Sequence, residues 1–361
     1  MVGAGQAGLS AAYFLPRFGI ENSIVLDHNA GPGGAWRQRW PSLTLRSANH
    51  VHDLPGWGLQ DALGTACDDI PAATGVAQYF GEYEKRFGID VHRPAHVASV
   101  SRCDGGYLVA GHGADGPFEY RAAAVINCTG TWDRPFWPTV AGAPSFRGTQ
   151  LHAHDYRTAE PFAGKRVAVV GAGITAVQLL LEIAEVAETA WFTRREVQWD
   201  TTPFDPDKGR RAVARVEERV RAGLPPGSVV SVTGLPMTDA MRRGIEAGVL
   251  VRRPMFASLS PDGPLLADGT LVPADVILWC TGFRYSMDHL APLNLRSPGG
   301  GIVMTGRLAT EVAGEPRLHL LGYGPSASTI GANRAGREAA RAIAEVVGGP
   351  GSGRVRETPL A

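Results

Sequence analysis

The chain has 361 residues, enough for two or three domains with real cores, and its 35 basic and 35 acidic side chains cancel without a basic stripe, so nucleic acid is excluded as an expected partner. Apolar residues at 44% beside 46 Gly and 26 Pro describe many tight turns rather than disorder. Cys67, Cys103, Cys128 and Cys280 form no C-x-x-C pair and no metal-like spacing, so they read as small core residues in a reducing, cytoplasmic setting, with no metal site.

From the N-terminus, Gly3, Gly5 and Gly8 in VGAGQAGLSAAYFL give G-x-G-x-x-G ahead of a helical run over 9–18. A strand of about five residues normally leads into such a turn. Only Met1 and Val2 precede Gly3, so further apolar residues upstream are expected to complete the strand and improve cofactor retention. No basic segment precedes an apolar one, and neither a signal peptide nor a membrane span is expected. A short strand over 22–26 ends at Asp27, 24 residues beyond Gly3, where an acid accepts from ribose hydroxyls; the other reading is a solvated turn aspartate. In the following Gly31-Pro32-Gly33-Gly34-Ala35-Trp36, the glycines let backbone pass close to a bound group and Trp36 offers a flat face.

Residues 37–66 are rich in aromatics, His and Pro without a clean period, and either line a pocket or cover a core. A helix is expected over 74–87 and strands over 97–109 and 123–127, the last running into Cys128-Thr129-Gly130. Phe146, Gly148, His152 and Tyr156 read as a joint between domains. An apolar strand over 166–170 then opens onto Gly171-Ala172-Gly173-Ile174-Thr175-Ala176, a second phosphate cradle at a helix start. A strand over 189–193 ends at Arg194 and Arg195, whose forked guanidinium groups suit the 2′-phosphate of NADP where an acid would suit NAD; two exposed arginines are the plain alternative. Residues 204–255 read as a surface insertion in the second unit. A strand over 274–279 repeats the earlier pattern by running into Cys280-Thr281-Gly282, so both halves share one architecture. A strand over 317–321 and a helix over 332–347 follow, with Ser326, Ser328 and Thr329 ahead of the helix and a disordered tail behind it.

Phe146, Gly148, His152 and Tyr156 also match the run F-x-G-x-x-x-H-x-x-x-[YF] placed between two fingerprints, and on these residues the chain resembles bacterial flavin-containing monooxygenases, class B members of the two-dinucleotide flavoproteins. The resemblance implies an α/β fold of two Rossmann-like, doubly wound dinucleotide-binding domains, the NADPH domain (156–285) inserted between two FAD-binding segments (1–155 and 286–361). FAD contacts would be Gly3, Gly5, Gln6, Ala7, Gly8, Asp27, Gly34, Ala35 and Trp36. NADPH contacts would be Gly171, Gly173, Ile174, Thr175, Arg194 and Arg195, with Thr129, Gly130, Thr281 and Gly282 turning beside the cofactors. Asn49, His152 and Tyr156 are the catalytic candidates.

The chemistry implied is reduction of FAD by NADPH, addition of O2 at the flavin C4a position, and oxygen transfer from the C4a-peroxyflavin to a sulfide, amine or ketone. Partners would be that small-molecule substrate and O2, with a homodimer left open. Two rival readings stand beside it: a cysteine-free NADPH-dependent flavin reductase that feeds an electron carrier, and a non-catalytic nucleotide sensor.

Overall fold

The structure, a computed structural model, describes residues 1–48, 51–201, 206–227, 234–348 and 356–357. Apart from 356–357, the tail expected to be disordered lies outside the described residues. The chain is mixed α/β and divides into two compact units, one built from Met1–Gly130, Val213–Gly227 and Tyr285–Ala361, the other from Thr131–Ala212 and Ser228–Arg284. No helix among the described residues is long and apolar enough to cross a membrane.

In the first unit, short apolar runs pair in parallel. Val25–Leu26 pairs with Val91–His92, Val2 bridges both Leu26 and Asn127, and Val125–Asn127 pairs with Glu315–Leu320. Two antiparallel strands, Glu311–Val312 and Met304–Thr305, extend that edge. Because side chains alternate across a strand, the sheet has two apolar faces. Leu26, Val125, Leu318 and Leu320 join Val97, Val100 and Val109 in one core, while Ile126 packs with Ala11, Leu15, Ala335, Ala339 and Ile343 in another. The first core is closed by a three-stranded antiparallel meander, Ala95–Cys103, Gly106–Gly113 and Gly116–Ala122. Its turns carry Asp104-Gly105 and Asp115-Gly116, with Gly105 at φ +82° and Gly116 at φ +112°, backbone angles at which a side chain is strained.

The second core lies between helices Gln6–Phe14 and Thr329–Val347. The latter begins three residues before the expected start because Ser328 caps it, its Oγ accepting from the Gly331 N–H at 3.1 Å. The helices touch where Gly336 faces Ser10: a Cβ there would sit 2.6 Å from Ser10 Oγ and 2.8 Å from the Ala11 nitrogen. Gly336→Val should therefore lower unfolding free energy by about 2 kcal/mol, measurable by urea titration.

The helix Pro206–Arg221 departs from expectation. Val213, Val216 and Val220 share one face of an otherwise charged helix. Val216 and Val220 are buried, and Val220 joins the first unit's core with Leu290 and Ile302. Residues 213–227 thus pack into the first unit rather than decorating the surface of the second.

The second unit holds a five-stranded, wholly parallel sheet in the order Arg252–Pro254, Glu188–Thr193, Arg166–Val170, Val276–Trp279, Thr149–His152. Arg166–Val170 is central, and its last four residues are buried, as a strand covered on both faces requires. From it the chain passes outward through Glu188–Thr193 to Arg252–Pro254, then returns to Val276–Trp279 on the other side. That reversal of strand order is a topological switch point, and open α/β sheets bind ligands outside the carboxyl ends of the strands at such a point.

Candidate functional site

The first glycine turn is shaped by the strand ends around it. The Gly3 N–H donates to the Leu26 carbonyl at 2.7 Å, and the Cys128 N–H to the Val2 carbonyl at 2.7 Å. Gly3 sits at φ +97°, and a Cβ there would lie 2.5 Å from the Cys128 carbonyl oxygen; a Cβ on Gly8 would run into the Gly3 carbonyl. Those two glycines are demanded by packing. Gly5 is different: a Cβ there would meet only the Gly34 Cα, at 4.0 Å. It is the N-cap of Gln6–Phe14, and no side chain caps that helix, so the N–H groups of Gln6, Ala7 and Gly8 start a helix end with unsatisfied donors.

Gly34, at φ +52°, faces Gly5 so closely that a Cβ on it would come within 2.9 Å of the Gly5 Cα. The two glycine turns meet backbone to backbone. Ala35 beyond is exposed and Trp36 half-buried, with the Arg39 guanidinium 5.9 Å from the Trp36 ring centre.

Asp27 is buried, not solvated. Its Oδ2 accepts from Arg93 Nε at 2.9 Å and its Oδ1 from the Asn29 N–H at 3.3 Å and Asn29 Nδ2 at 3.0 Å, while Arg93 makes a fork with Glu84 at 2.7 Å for each bond. A carboxylate offers about four acceptor sites, so Asp27 keeps capacity for one further donor. Gln6 is tied in as well: its Nε2 donates to Asn333 Oδ1 at 2.9 Å and to the His52 carbonyl at 3.2 Å, and Asn333 Nδ2 donates to the Asp53 carbonyl at 2.5 Å. Arg93 and Asn333 escaped sequence reasoning because their partners are far away in the chain and neither belongs to a local pattern.

The aromatic-rich segment over 37–66 covers a core. Tyr79, fully buried in helix Ala72–Phe87, accepts from the Leu54 N–H at 2.7 Å and donates to the Trp57 carbonyl at 2.6 Å, and Tyr83 donates to the Pro55 carbonyl at 2.6 Å. Asn49 lies outside the described residues.

Behind the first turn, Thr129 Oγ1 donates to the Ser286 carbonyl at 2.5 Å and accepts from Asn127 Nδ2 at 3.0 Å. Buried His289 donates from Nε2 to Asn127 Oδ1 at 2.7 Å. Gly130 turns at φ +63° into open space.

The second cradle repeats this construction. A Cβ on Gly171, at φ +147°, would strike the Cys280 carbonyl as one on Gly3 would strike that of Cys128, and Trp191 Nε1 donates to the Gly171 carbonyl at 2.7 Å. Gly173 is the N-cap of Ile174–Ile183, has no side-chain cap, and has nothing within 4 Å of a Cβ placed on it. Ile174 and Thr175 are half-buried. Thr281 Oγ1 donates to the Phe136 carbonyl at 2.5 Å, the Phe136 N–H donates to Gly282 at 2.9 Å, and Gly282 turns at φ +80° into open space. Arg194 and Arg195 are exposed, and the Arg195 carbonyl accepts from Thr193 Oγ1 at 2.7 Å. In both units burial pushes the cysteine thiol up, Cys128 to about 12, so these side chains pack rather than react.

The run expected to form a joint lies within the second unit, because Thr149–His152 is an edge strand of that unit's own sheet. His152 is completely buried. Its Nδ1 accepts from the His154 N–H at 3.0 Å, which leaves the proton on Nε2, facing the Gly282 backbone without a well-formed hydrogen bond. Burial lowers its pKa, so the ring is neutral at pH 7. Tyr156 is buried against Phe162, the rings stacked at 5.8 Å, and its pKa is raised by burial and then by the Glu182 carboxylate. Around His152 stands an aromatic cluster absent from the sequence reading. Phe283 meets His152 edge-on at 5.2 Å and stacks on Trp132 at 5.0 Å, while Trp137 lies 5.8 Å from His152. The available signal was the aromatic one or two residues after each T-G pair.

A family model described as pyridine nucleotide-disulphide oxidoreductase matches residues 1–230. A flavin-containing monooxygenase from Stenotrophomonas maltophilia superimposes with a TM-score of 0.79 and 35% identity, over 96% of this chain and 97% of that one. A CzcO-like oxidoreductase of Geobacillus kaustophilus is 25% identical over 78% of this chain and 79% of its own length. Senecionine N-oxygenase of Tyria jacobaeae is 20% identical over 81% of this chain and 59% of its own length. The chain, an oxidoreductase, therefore belongs to the pyridine nucleotide-disulphide oxidoreductase family and, within it, to the flavin-containing monooxygenases.

Proposed function

We propose that the protein binds FAD and NADPH on two Rossmann-like dinucleotide-binding domains, FAD on the unit built from Met1–Gly130, Val213–Gly227 and Tyr285–Ala361 and NADPH on the unit built from Thr131–Ala212 and Ser228–Arg284. We assign it the insertion of one oxygen atom of O2 into a soft nucleophile, a sulfide or amine, or into a ketone. The observation that carries this is the duplicated cradle: twice, a glycine that packing demands is followed by an uncapped helix start beside a glycine with free space. Both cradles fit a diphosphate, because Gly5 and Gly173 leave backbone N–H groups approachable where any side chain would stand in the way.

On this reading Gly3, Gly5, Gln6, Ala7, Gly8, Gly34, Ala35, Trp36, Thr129 and Gly130 hold FAD, and Asp27 offers its remaining lone pair to a ribose hydroxyl. Gly171, Gly173, Ile174, Thr175, Thr281 and Gly282 hold NADPH, with Arg194 and Arg195 on its 2′-phosphate. Bound flavin and nicotinamide supply the electrons for the overall reaction, substrate + O2 + NADPH + H⁺ giving oxygenated substrate + H2O + NADP⁺. The protein's own side chains bind and orient. His152, neutral and buried, and Tyr156, protonated and buried, act as positioning residues beneath the strand ends rather than as proton carriers.

Incubating purified protein and FAD with NADPH and methyl phenyl sulfide, trimethylamine or cyclohexanone tests the reading. One oxygenated product per NADPH consumed is expected from at least one probe. NADPH oxidation that yields only hydrogen peroxide with every probe, while an added one-electron acceptor is reduced, would transfer the protein to the flavin-reductase reading. Cys128 and Cys280, which follow the strands beside the two cradles, are buried with raised pKa values and do not suit a thiol relay.

A further inference from the structure

The loop that leaves strand Glu188–Thr193 carries contradictory instructions. Arg194 and Arg195 attract a 2′-phosphate, but Glu196 follows directly, and an acid at this edge of a nucleotide-binding sheet accepts from ribose hydroxyls and repels a phosphate. We propose that Arg252 settles the contradiction: it sequesters Glu196 and so determines preference for NADPH over NADH. This inference rests on the assignment of the second cradle to that coenzyme.

Arg252 begins the neighbouring parallel strand Arg252–Pro254, in register with Trp191. From there its guanidinium spans the base of the loop. Nε donates to Thr193 Oγ1 at 2.7 Å, and the fork reaches Glu196 Oε1 at 2.5 Å. Thr193 is buried and passes the constraint on, its own hydroxyl donating to the Arg195 carbonyl at 2.7 Å. One side chain therefore fixes the backbone that presents the two arginines and occupies the acid beside them. Among the described residues, the guanidinium groups of Arg194 and Arg195 make no hydrogen bond or ion pair, so both remain available to an incoming anion. The Glu196 side chain is 74% exposed against 24% for Arg252. An ion pair that open to water contributes little to stability, so its removal should register in coenzyme choice rather than in folding.

The holoenzyme with FAD bound provides the test, through kcat/KM for NADPH and for NADH. Arg252→Gln should lower the NADPH-to-NADH ratio by about tenfold or more, because it frees a carboxylate beside the 2′ position. Adding Glu196→Gln to that variant should restore most of the ratio, since no charge remains to be freed. Arg252→Lys, which keeps a cation against Glu196, should stay near the parent ratio and serves if the Gln variant fails to fold. An unchanged ratio in Arg252→Gln, or no recovery in the double variant, overturns the proposal. Arg194→Ala separates the two levels: if it lowers the ratio while Arg252→Gln does not, only the role of Arg252 is lost. If neither alters use of either coenzyme, the assignment of the cradle itself fails.

Discussion

Gly173→Asp should leave the second unit folded while weakening its use of NADPH by about 100-fold. The position is an N-cap with φ −95° and ψ 169°, a conformation any residue adopts, and a Cβ there meets nothing within 4 Å. Aspartate is among the best N-caps and its charge complements the helix dipole, so thermal stability should stay level or rise by a few tenths of a kcal/mol. The same carboxylate would take the backbone N–H groups that a pyrophosphate needs and repel that anion. KM for NADPH should therefore rise by about 100-fold, equivalent to roughly 2.7 kcal/mol. Gly171→Ala is the contrasting case. At φ +147°, with its Cβ driven into the Cys280 carbonyl, it should lower stability by about 2 to 4 kcal/mol before any ligand is added. Wild-type NADPH kinetics in Gly173→Asp would remove the second cradle from the coenzyme site.

This asymmetry between neighbouring glycines shows where the sequence was legible and where it was not. Spacing alone located both turns, because G-x-G at a strand-to-helix boundary has few physical explanations. Spacing could not say that Gly3 and Gly171 serve packing against Cys128 and Cys280 while Gly5 and Gly173 are left clear of such contacts; that required the strand 125–127 or 276–279 to be set beside each turn. The paired C-T-G strand ends form a repeat in the sequence, and the structure gives the repeat its purpose, each cysteine carbonyl backing a glycine.

Local signals also went unused. Asp104-Gly105 and Asp115-Gly116 are strong hairpin dipeptides, and giving them weight would have turned one long expected strand over 97–109 into the observed meander. Val213, Val216 and Val220 lie at helical spacing in an otherwise charged segment, and Val216 and Val220 are buried, with residues 213–227 in the first unit. The contacts of Arg93 with Asp27 and of Asn333 with Gln6 were out of reach, since each joins residues whose proximity only the completed sheet creates.

The first unit should lose stability steeply on mild acidification. His289 and His319 are both buried there, and burial, partly offset by nearby Asp288 and Glu338 charges respectively, lowers each to about 4. His289 is held neutral with its Nε2 proton given to Asn127, and His319 meets Thr310 Oγ1 through Nδ1 at 3.2 Å. For a histidine whose folded pKa is depressed, nothing changes above about pH 6.5. Below that, the unfolded chain binds a proton the folded one refuses until about pH 4, so stability falls across this interval. At 1.36 kcal/mol per pH unit, each ring costs about 2 kcal/mol by pH 5, and the two together about 4.

Glu338 acts in the next window down. Burial alone would raise its pKa, but hydrogen bonds from Arg307 and Arg341 outweigh that and hold it at about 2. Its contribution is intact above about pH 4.5 and fades as pH falls toward 2. Two successive acid-sensitive steps should therefore appear in the urea midpoint for flavin release between pH 8 and 3. His289→Gln with His319→Gln should flatten the upper step and leave the lower one, because the lower belongs to a carboxylate neither substitution touches. A wild-type protein whose midpoint is level from pH 7 to 5, or a double variant that keeps the full upper slope, would show that these two buried rings do not set the acid limit.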